Sequence, residues 1–456
     1  MRIRKMMVLL FALVLVLAAC SGNSNNGANN GANNGANNGT NNAGPTNEGT
    51  GEEETGTPEM DFDLGGKTIK VTSWFNMLDR ESENPDDIAR IENLEALEAK
   101  HNFKLEVVVL DYMEYHDKIT ASLLAGEPLG DIVRMGKTVS VPTLVKQDLF
   151  WPIDEYTKNE KVFNQLTTNN NYTYNGRGYG FDASQENLIT GIFYNKTLLN
   201  QLGLKPLQDY VNEDNWNWDT FIQVAKEANK DTNNDGKLDT WGLANDWLLD
   251  PALYSNETGL TKDNKQNLDD PKTLEALNFV SRIGVEQINR PFVEGQNPGL
   301  YFREGNTLMY SGAMWEIWGL KTDMADYEIG FVPFPKGPSA TAYHSGEGLF
   351  QALTIPKAVE NPEQLMYIWE KIHDIDSMFD YPSQSMLESN FTSEDDIENA
   401  KKVQEGMLVL DHSTFVPAGM DIYAFNGELM TGVSVSTIVE KYKGPFQAAI
   451  DQVYGQ

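Results

Sequence analysis

From Lys67 onward the chain alternates short runs rich in β-branched residues with longer runs whose apolar residues recur at helical spacing. Strands that alternate with helices along a sequence bury their apolar faces best as a sheet with helices packed on it, so the pattern restricts the body to an α/β architecture. Strands are expected at Lys67–Ser73, Lys104–Leu110 and Asp131–Met135. Between them, Asp86–His101 places Ile88, Ile91, Leu94 and Leu97 on one helical face, Tyr112–Leu124 reads as a second helix, and Val139–Gln147 as a further turn or two. The second half continues with strands at Gly191–Tyr194, Trp241–Ala244, Leu308–Tyr310 and Tyr327–Pro333. Helices are expected at Thr197–Leu202, Asn217–Asn229, Pro271–Ile288, Asn361–His373, Glu394–Gln404 and Val435–Tyr454, with a shorter one near Phe302.

The N-terminus follows different rules. Arg2, Arg4 and Lys5 precede an apolar run, Met6–Val16, that ends in Leu17-Ala18-Ala19-Cys20. A charged start, a short apolar core and small residues before a cleavage point make residues 1–19 a secretory signal, and the run is too short to span a bilayer stably. Cys20 is the only cysteine of the chain. Its position resembles that of a bacterial lipobox, whose cysteine is diacylated and anchors the mature N-terminus on the outer face of the cytoplasmic membrane. Residues 20–60 then hold almost no large apolar side chain and include three copies of Gly-Ala-Asn-Asn at Gly27–Asn38. Such a segment buries too little surface to offset its chain entropy, so it is expected to be a disordered spacer with a reach of about 32–38 Å.

Charge narrows the partners. The chain carries 67 acidic against 35 basic residues, a net charge of −32. Losing Arg2, Arg4 and Lys5 with the signal would make this more negative still. Binding to nucleic acid or to anionic lipid through a basic surface is therefore not expected. With Cys20 acylated no intramolecular disulfide can form, and no second apolar stretch is long enough to cross a membrane, so stability rests on packing. An apolar fraction of 40% with nine Trp, eighteen Tyr and twenty Phe is ample for that.

Recognisable catalytic patterns fail. The five histidines form no HExxH and there is no GxSxG. Gly66-Lys67-Thr68 and Gly136-Lys137-Thr138 approach a phosphate loop, but Asp61 and Asp131 stand where its first glycine belongs. A glycosidase needs only two facing carboxylates, so a lipid-anchored glycoside hydrolase stays as the alternative of a different class. The clearest chemical motif is Asp231–Asp239. Asp231, Asn233, Asp235, the Lys237 carbonyl and Asp239 occupy alternate positions, with Gly236 at the sharp turn, as in a calcium loop. Gly242 stands where the bidentate glutamate of a complete hand would be. The expectation is a structural calcium ion; a polar turn without metal is the other reading.

Several segments, in order, resemble family 1 extracellular solute-binding proteins. Phe193–Leu199 and Trp216–Phe221 are similar to the family's "YNK" crossing and "WTWDEF" helix start. Ser311–Trp318 resembles its Gly/Trp segment, Phe331–Pro338 its "VPFPKGP", and Ile355–Trp369 its "NPE" helix. The resemblance implies a two-lobed, periplasmic-binding-protein-like α/β fold with a hinge and a ligand cleft between the lobes. On that basis one lobe comprises residues 65–187 and 347–400, and the other 188–346 and 401–456. It further implies a monomeric receptor that delivers its solute to an ABC importer whose permease and ATPase are separate chains.

A sugar ring offers apolar C–H faces and a rim of hydroxyls, which aromatic rings and polar side chains recognise together. Trp74 and Phe75 follow the first expected strand at its carboxyl end, where open α/β sheets place ligands. Trp315 and Trp318 lie in the segment whose Trp stacks on sugar in maltose-binding relatives, and Trp247 follows a later strand. Arg134 ends the Asp131 strand; Gln185, Glu186 and Asn187 border the first inferred crossing, and Glu347 the second. The resulting expectation is a receptor for a sugar, most simply an oligosaccharide, with a non-sugar solute as the alternative within the family.

Overall fold

The computed structural model describes residues 57–159, 162–163, 172–181, 190–245, 247–291, 296–347, 351–375 and 384–455. The signal sequence, Cys20 and residues 20–56 of the expected spacer lie outside them. Residues 57–60 do not behave as spacer. Thr57 N donates to Glu370 at 3.0 Å, Glu59 pairs with Lys100 at 2.7 Å, and Met60 packs on the core. The body therefore starts at or before residue 57, a few residues earlier than expected.

In chain order the elements used below are β1 (Lys67–Ser73), α1 (Pro85–His101), β2 (Phe103–Val109), α2 (Tyr115–Leu124), β3 (Ile132–Gly136), β4 (Thr190–Asn195), α3 (Lys196–Gln201), α4 (Leu207–Asn212), α5 (Trp218–Ala228), β5 (Trp241–Leu243), α6 (Pro271–Val285), β6 (Thr307–Ala313), α7 (Ile317–Asp323), β7 (Ile329–Val332), β8 (Ser345–Glu347), β9 (Gln351–Thr354), α8 (Pro362–His373), α9 (Gln384–Asn390), α10 (Glu394–Glu405), β10 (Met407–Val409) and α11 (Val435–Tyr454). Helix starts follow from capping. Asn84 accepts from Asp86 N ahead of α1, Asn217 from Asp219 N and Thr220 N ahead of α5, and Asp270 from Lys272 N ahead of α6. Asn102 closes α1 in the left-handed region, which asparagine tolerates better than most residues.

Two four-stranded sheets organise the body. The first has the order β9-β3-β1-β2, with β1 parallel to β2 and β3, and β9 antiparallel to β3. The second has the order β7-β4-β6-β5, in which β5 and β6 are parallel and β4 runs against β6 and β7. Each sheet has its own packing. Ile69, Val71, Leu94, Phe103, Ile132 and Trp369 lie in one core, and Tyr115, Ile119, Val133, Met135 and Phe150 fill the other face of that sheet. Phe193, Trp216, Phe221, Phe279, Leu308 and Phe331 belong to the larger core of the second sheet.

Two details depart from expectation. Ile88 is 44% exposed, and the buried face of α1 is built on Ala89, Leu94 and Leu97, with Ile91 half-buried. Ile88 thus lies off the buried face although its spacing matches the rest, while Asp86 in the same turn is buried. The division of the chain also shifts. Met386, Leu387 and Phe391, at and just after α9, and Ala400 and Val403 of α10 pack into the second core, although 347–400 was assigned to the first lobe. Among the described residues, the chain lies in the first sheet's packing at Phe181, in the second core from Ile192 to Tyr343, in the first again from Ala352 to Ile372 and in the second at Met386, with Met407 returning to the first between Val403 and Leu410 of the second. Near these passages β8 and β10 form a short parallel pair, and Thr190 N donates to Ser345 Oγ at 2.7 Å.

Candidate functional site

The strands β1, β2 and β3 run in the same direction, so Ser73, Val109 and Gly136 bring their carboxyl ends to one edge of the first sheet. Trp74 leaves that edge half-buried. Its ring lies 5.2 Å from Phe75, 5.8 Å from Tyr112 and 5.0 Å from Tyr115, centroid to centroid. The Arg134 guanidinium, on β3, sits 4.8 Å from the Trp74 ring centre and 5.5 Å from that of Phe75. Arg134 is only 8% exposed. A permanently charged, planar group against the indole favours the cation–π arrangement and fixes the ring in place.

Support for this platform comes from residues the sequence did not single out. Tyr115 is buried, donates from its hydroxyl to Gln351 Oε1 at 2.7 Å, and is pushed up in pKa by that burial. Gly136 N donates to His116 Nε2 at 2.9 Å, and burial pulls the imidazole below its ordinary value. The neutral ring can accept that bond, whereas the imidazolium cannot. Tyr112, just past the end of β2, could have been found by the same carboxyl-edge argument that picked out Trp74. Gln351 and His116 carry no such local signal.

In the second sheet the parallel pair β5 and β6 ends at Leu243 and Ala313. Asn245 ties these ends together: its side chain donates to Ser311 O at 3.0 Å and accepts from Ser311 N at 2.8 Å. Beyond them Trp315 is 53% and Trp318 48% exposed. Trp247 is half-buried and lies 5.3 Å from the exposed ring of Tyr423. The turn that carries Trp315 is held by Glu316, which accepts from Ala313 N at 3.1 Å and from the Tyr310 hydroxyl at 3.0 Å. Burial pushes the Glu316 carboxyl up, with Tyr310 and Ala313 acting against it.

The structure thus gathers Trp74, Phe75 and Arg134 on one carboxyl edge and sets Trp247, Trp315 and Trp318 past the parallel strand ends of the other sheet. Glu347 ends β8, in register with Val409. Gln185, Glu186 and Asn187 lie outside the described residues.

The Asp231–Asp239 loop closes on itself. Asp231 accepts from Asp235 N and Gly236 N, Asp235 from Lys237 N, and Asp239 from Thr232 N, Thr232 Oγ1 and Asn233 Nδ2. The Thr232 hydroxyl and N–H hold the Asp239 carboxyl below its ordinary range. No group of three His, Cys, Asp or Glu gathers to hold a metal among the described residues. The alternating oxygens of a calcium loop are present and also accept N–H groups of the loop; an ionised carboxylate has about four lone-pair sites, so these bonds do not use up its capacity for a cation. No helix among the described residues is long and apolar enough to cross a membrane.

The model of the bacterial extracellular solute-binding protein family matches residues 86–370, more than half of the chain. The chain belongs to that family. Among curated proteins, the arabinooligosaccharide-binding protein of Bacillus subtilis is 26% identical over 183 residues, covering 39% of this chain and 39% of its own length. The match spans about two fifths of that relative. Among solved structures, the sugar-binding protein MalE of Xanthomonas citri is similar with a TM-score of 0.62 at 15% identity, covering 85% of this chain and 99% of that one. UgpB of Mycobacterium tuberculosis, in complex with glycerophosphocholine, is similar with a TM-score of 0.59 at 17% identity, covering 84% and 98%. At these identities the likeness establishes the two-lobed fold of the family and leaves the solute to be argued from the site.

Proposed function

We propose that this chain is a lipid-anchored receptor that takes up an oligosaccharide between its two lobes and presents it to an ABC importer. The observation that carries the reading is the pairing of a rigid, cation-backed indole at the carboxyl edge of the first sheet with half-exposed indoles beyond the strand ends of the second. Rings in such positions are available to stack on the C–H faces of sugars. Covering about 100 Å² of indole contributes roughly 2–3 kcal/mol. Two such platforms, one per lobe, give a ligand that bridges them a reason to favour a closed state, because only closure makes both contacts at once. The arabinooligosaccharide-binding relative supports a sugar, whereas glycerophosphocholine in a structural neighbour shows that the fold admits other solutes.

No bond needs to break in this scheme. Cys20 would hold the receptor at the outer face of the cytoplasmic membrane, and the importer's permease and ATPase would be separate chains. The test is calorimetric titration with arabinan, xylan, glucan, mannan and pectic oligosaccharides, with the same samples assayed for released sugar. Saturable binding without new products supports the receptor. Shortened products would make the chain a glycoside hydrolase, and failure of the whole panel would point to a non-sugar solute.

A further inference from the structure

The two lobes meet along a seam beside the proposed sugar site. Lys137–Val139, a helical turn that directly follows β3, packs against the turn His412–Ala418 of the second lobe. Lys137 is buried; burial pulls its ammonium down to about 8, and the Asp411 carboxylate of the second lobe acts against that. Further along the same segment, Lys146 Nζ donates to the Val453 carbonyl in the last turn of α11, where the aligned peptide dipoles favour a cation. Leu144 and Val145 belong to the packing of the first sheet and Val453 to the second core, so this bond also crosses between the lobes. Tyr454 lies 5.9 Å from Phe415, ring to ring, and joins the end of α11 to the 412–418 turn.

The seam adjoins both aromatic groups. Lys137 comes shortly after Arg134, whose guanidinium backs Trp74. On the other side His412 Nε2 is 3.0 Å from Asp250 Oδ1. Burial, with the field of Asp250, pushes up the phenol of Tyr423, the ring beside Trp247. A contact at this place holds the lobes together on the side where the rings stand.

Two opposed effects act on it. Residues three apart share a face of a 3₁₀ turn. Phe415 and Ala418 face the second core, which leaves Thr414 on the side of the first-lobe turn. Thr414 is 6% exposed, yet its hydroxyl has no hydrogen-bond partner among the described residues. Parting the lobes would let water reach that hydroxyl, so it disfavours the seam. Lys146 favours it, but the side chain is exposed and solvent screens its bond, so the gain is modest.

We propose that this seam is a marginal catch that sets how readily the lobes close over the oligosaccharide, with Lys146 favouring closure and the Thr414 hydroxyl opposing it. The inference rests on the receptor reading given above. The apparent affinity of a ligand that needs closed lobes scales with the fraction of molecules already closed. Neither residue needs to touch the ligand to change how tightly it is held.

The test uses two variants of the whole chain that act in opposite directions. Thr414→Val keeps the shape of the side chain and removes the hydroxyl; Lys146→Met keeps the stem and removes the donor. Small-angle X-ray scattering without ligand should give a smaller radius of gyration than the parent for Thr414→Val and a larger one for Lys146→Met. Calorimetry with the tightest-binding oligosaccharide should show affinity about threefold higher in the first and about twofold lower in the second. Because Lys146 is exposed, its variant is expected to fold with the core untouched, whatever Thr414→Val does. Equal radii in all three chains, shifts in the same direction, or altered radii with unaltered affinity would overturn the proposal. Opposite shifts in radius with no oligosaccharide bound by any chain would uphold the catch and overturn the receptor reading instead.

Discussion

The two aromatic groups are built differently. In the first lobe Trp74 is wedged among three other rings with the buried Arg134 guanidinium against it, so its orientation is set before any ligand arrives. In the second lobe Trp315 stands half-exposed on a short turn positioned through the backbone by Glu316, and Trp318 half-exposed at the start of α7 that follows it. A ring locked by packing and a ring locked by one carboxylate respond to different perturbations. The comparison assigns a fixed platform to the first lobe and an adjustable clamp to the second.

Trp74→Ala should break the fixed side most severely. It removes the packing of four neighbours as well as the stacking face, so affinity should fall by at least about tenfold and stability by roughly 2–4 kcal/mol. Calorimetry and denaturant unfolding read the two separately. Trp315→Ala should cost a similar factor in affinity while leaving the melting temperature nearly unchanged, because half of the ring already faces solvent. Equal destabilisation by both variants would remove the contrast between platform and clamp.

Glu316 sharpens the second half of the comparison. Glu316→Ala leaves the Ala313 N–H and the Tyr310 hydroxyl without their acceptor, at about 1–3 kcal/mol. Glu316→Gln retains a carbonyl oxygen for them and should recover most of both stability and affinity. The folded pKa of Glu316 is raised, so the folded state holds its proton longer than the unfolded chain does. This group's contribution to stability therefore declines as pH rises from about 4.5 through the folded pKa.

The first lobe carries the opposite sign. His116 is depressed below 6.5, so its contribution is fully present above that value and is lost as pH falls through the folded pKa. Affinity should weaken on that acid side as the Gly136 N–H loses its acceptor, and His116→Ala should remove the dependence. A flat affinity profile in the parent chain would separate His116 from the platform. The smallest effect is expected in the loop at 231–239, which lies in neither group. A chelator should lower the melting temperature slightly, and Asp235→Ala should abolish that drop; an unchanged melting temperature would make the loop a polar turn without metal.

Much of this architecture was legible because strands and helices leave periodic traces. Val435–Tyr454 is found where the spacing puts it, and the Trp74 edge follows from one rule about carboxyl ends of parallel strands. Other features were not legible because they depend on distant segments returning. Gln351 reaches Tyr115, Tyr423 reaches Trp247, and α9 and α10 join the second core although the preceding α8 belongs to the first. In the 231–239 loop the spacing of oxygens was readable, but the hydrogen bonds by which the loop closes on itself were not.

The central claim is that one oligosaccharide bridges both lobes. Small-angle X-ray scattering of the whole chain, with and without the tightest-binding oligosaccharide of the panel, tests it most directly. The account predicts a smaller radius of gyration at saturation, lost in both Trp74→Ala and Trp315→Ala at the same ligand concentration. Saturable binding with no change in the radius would contradict it.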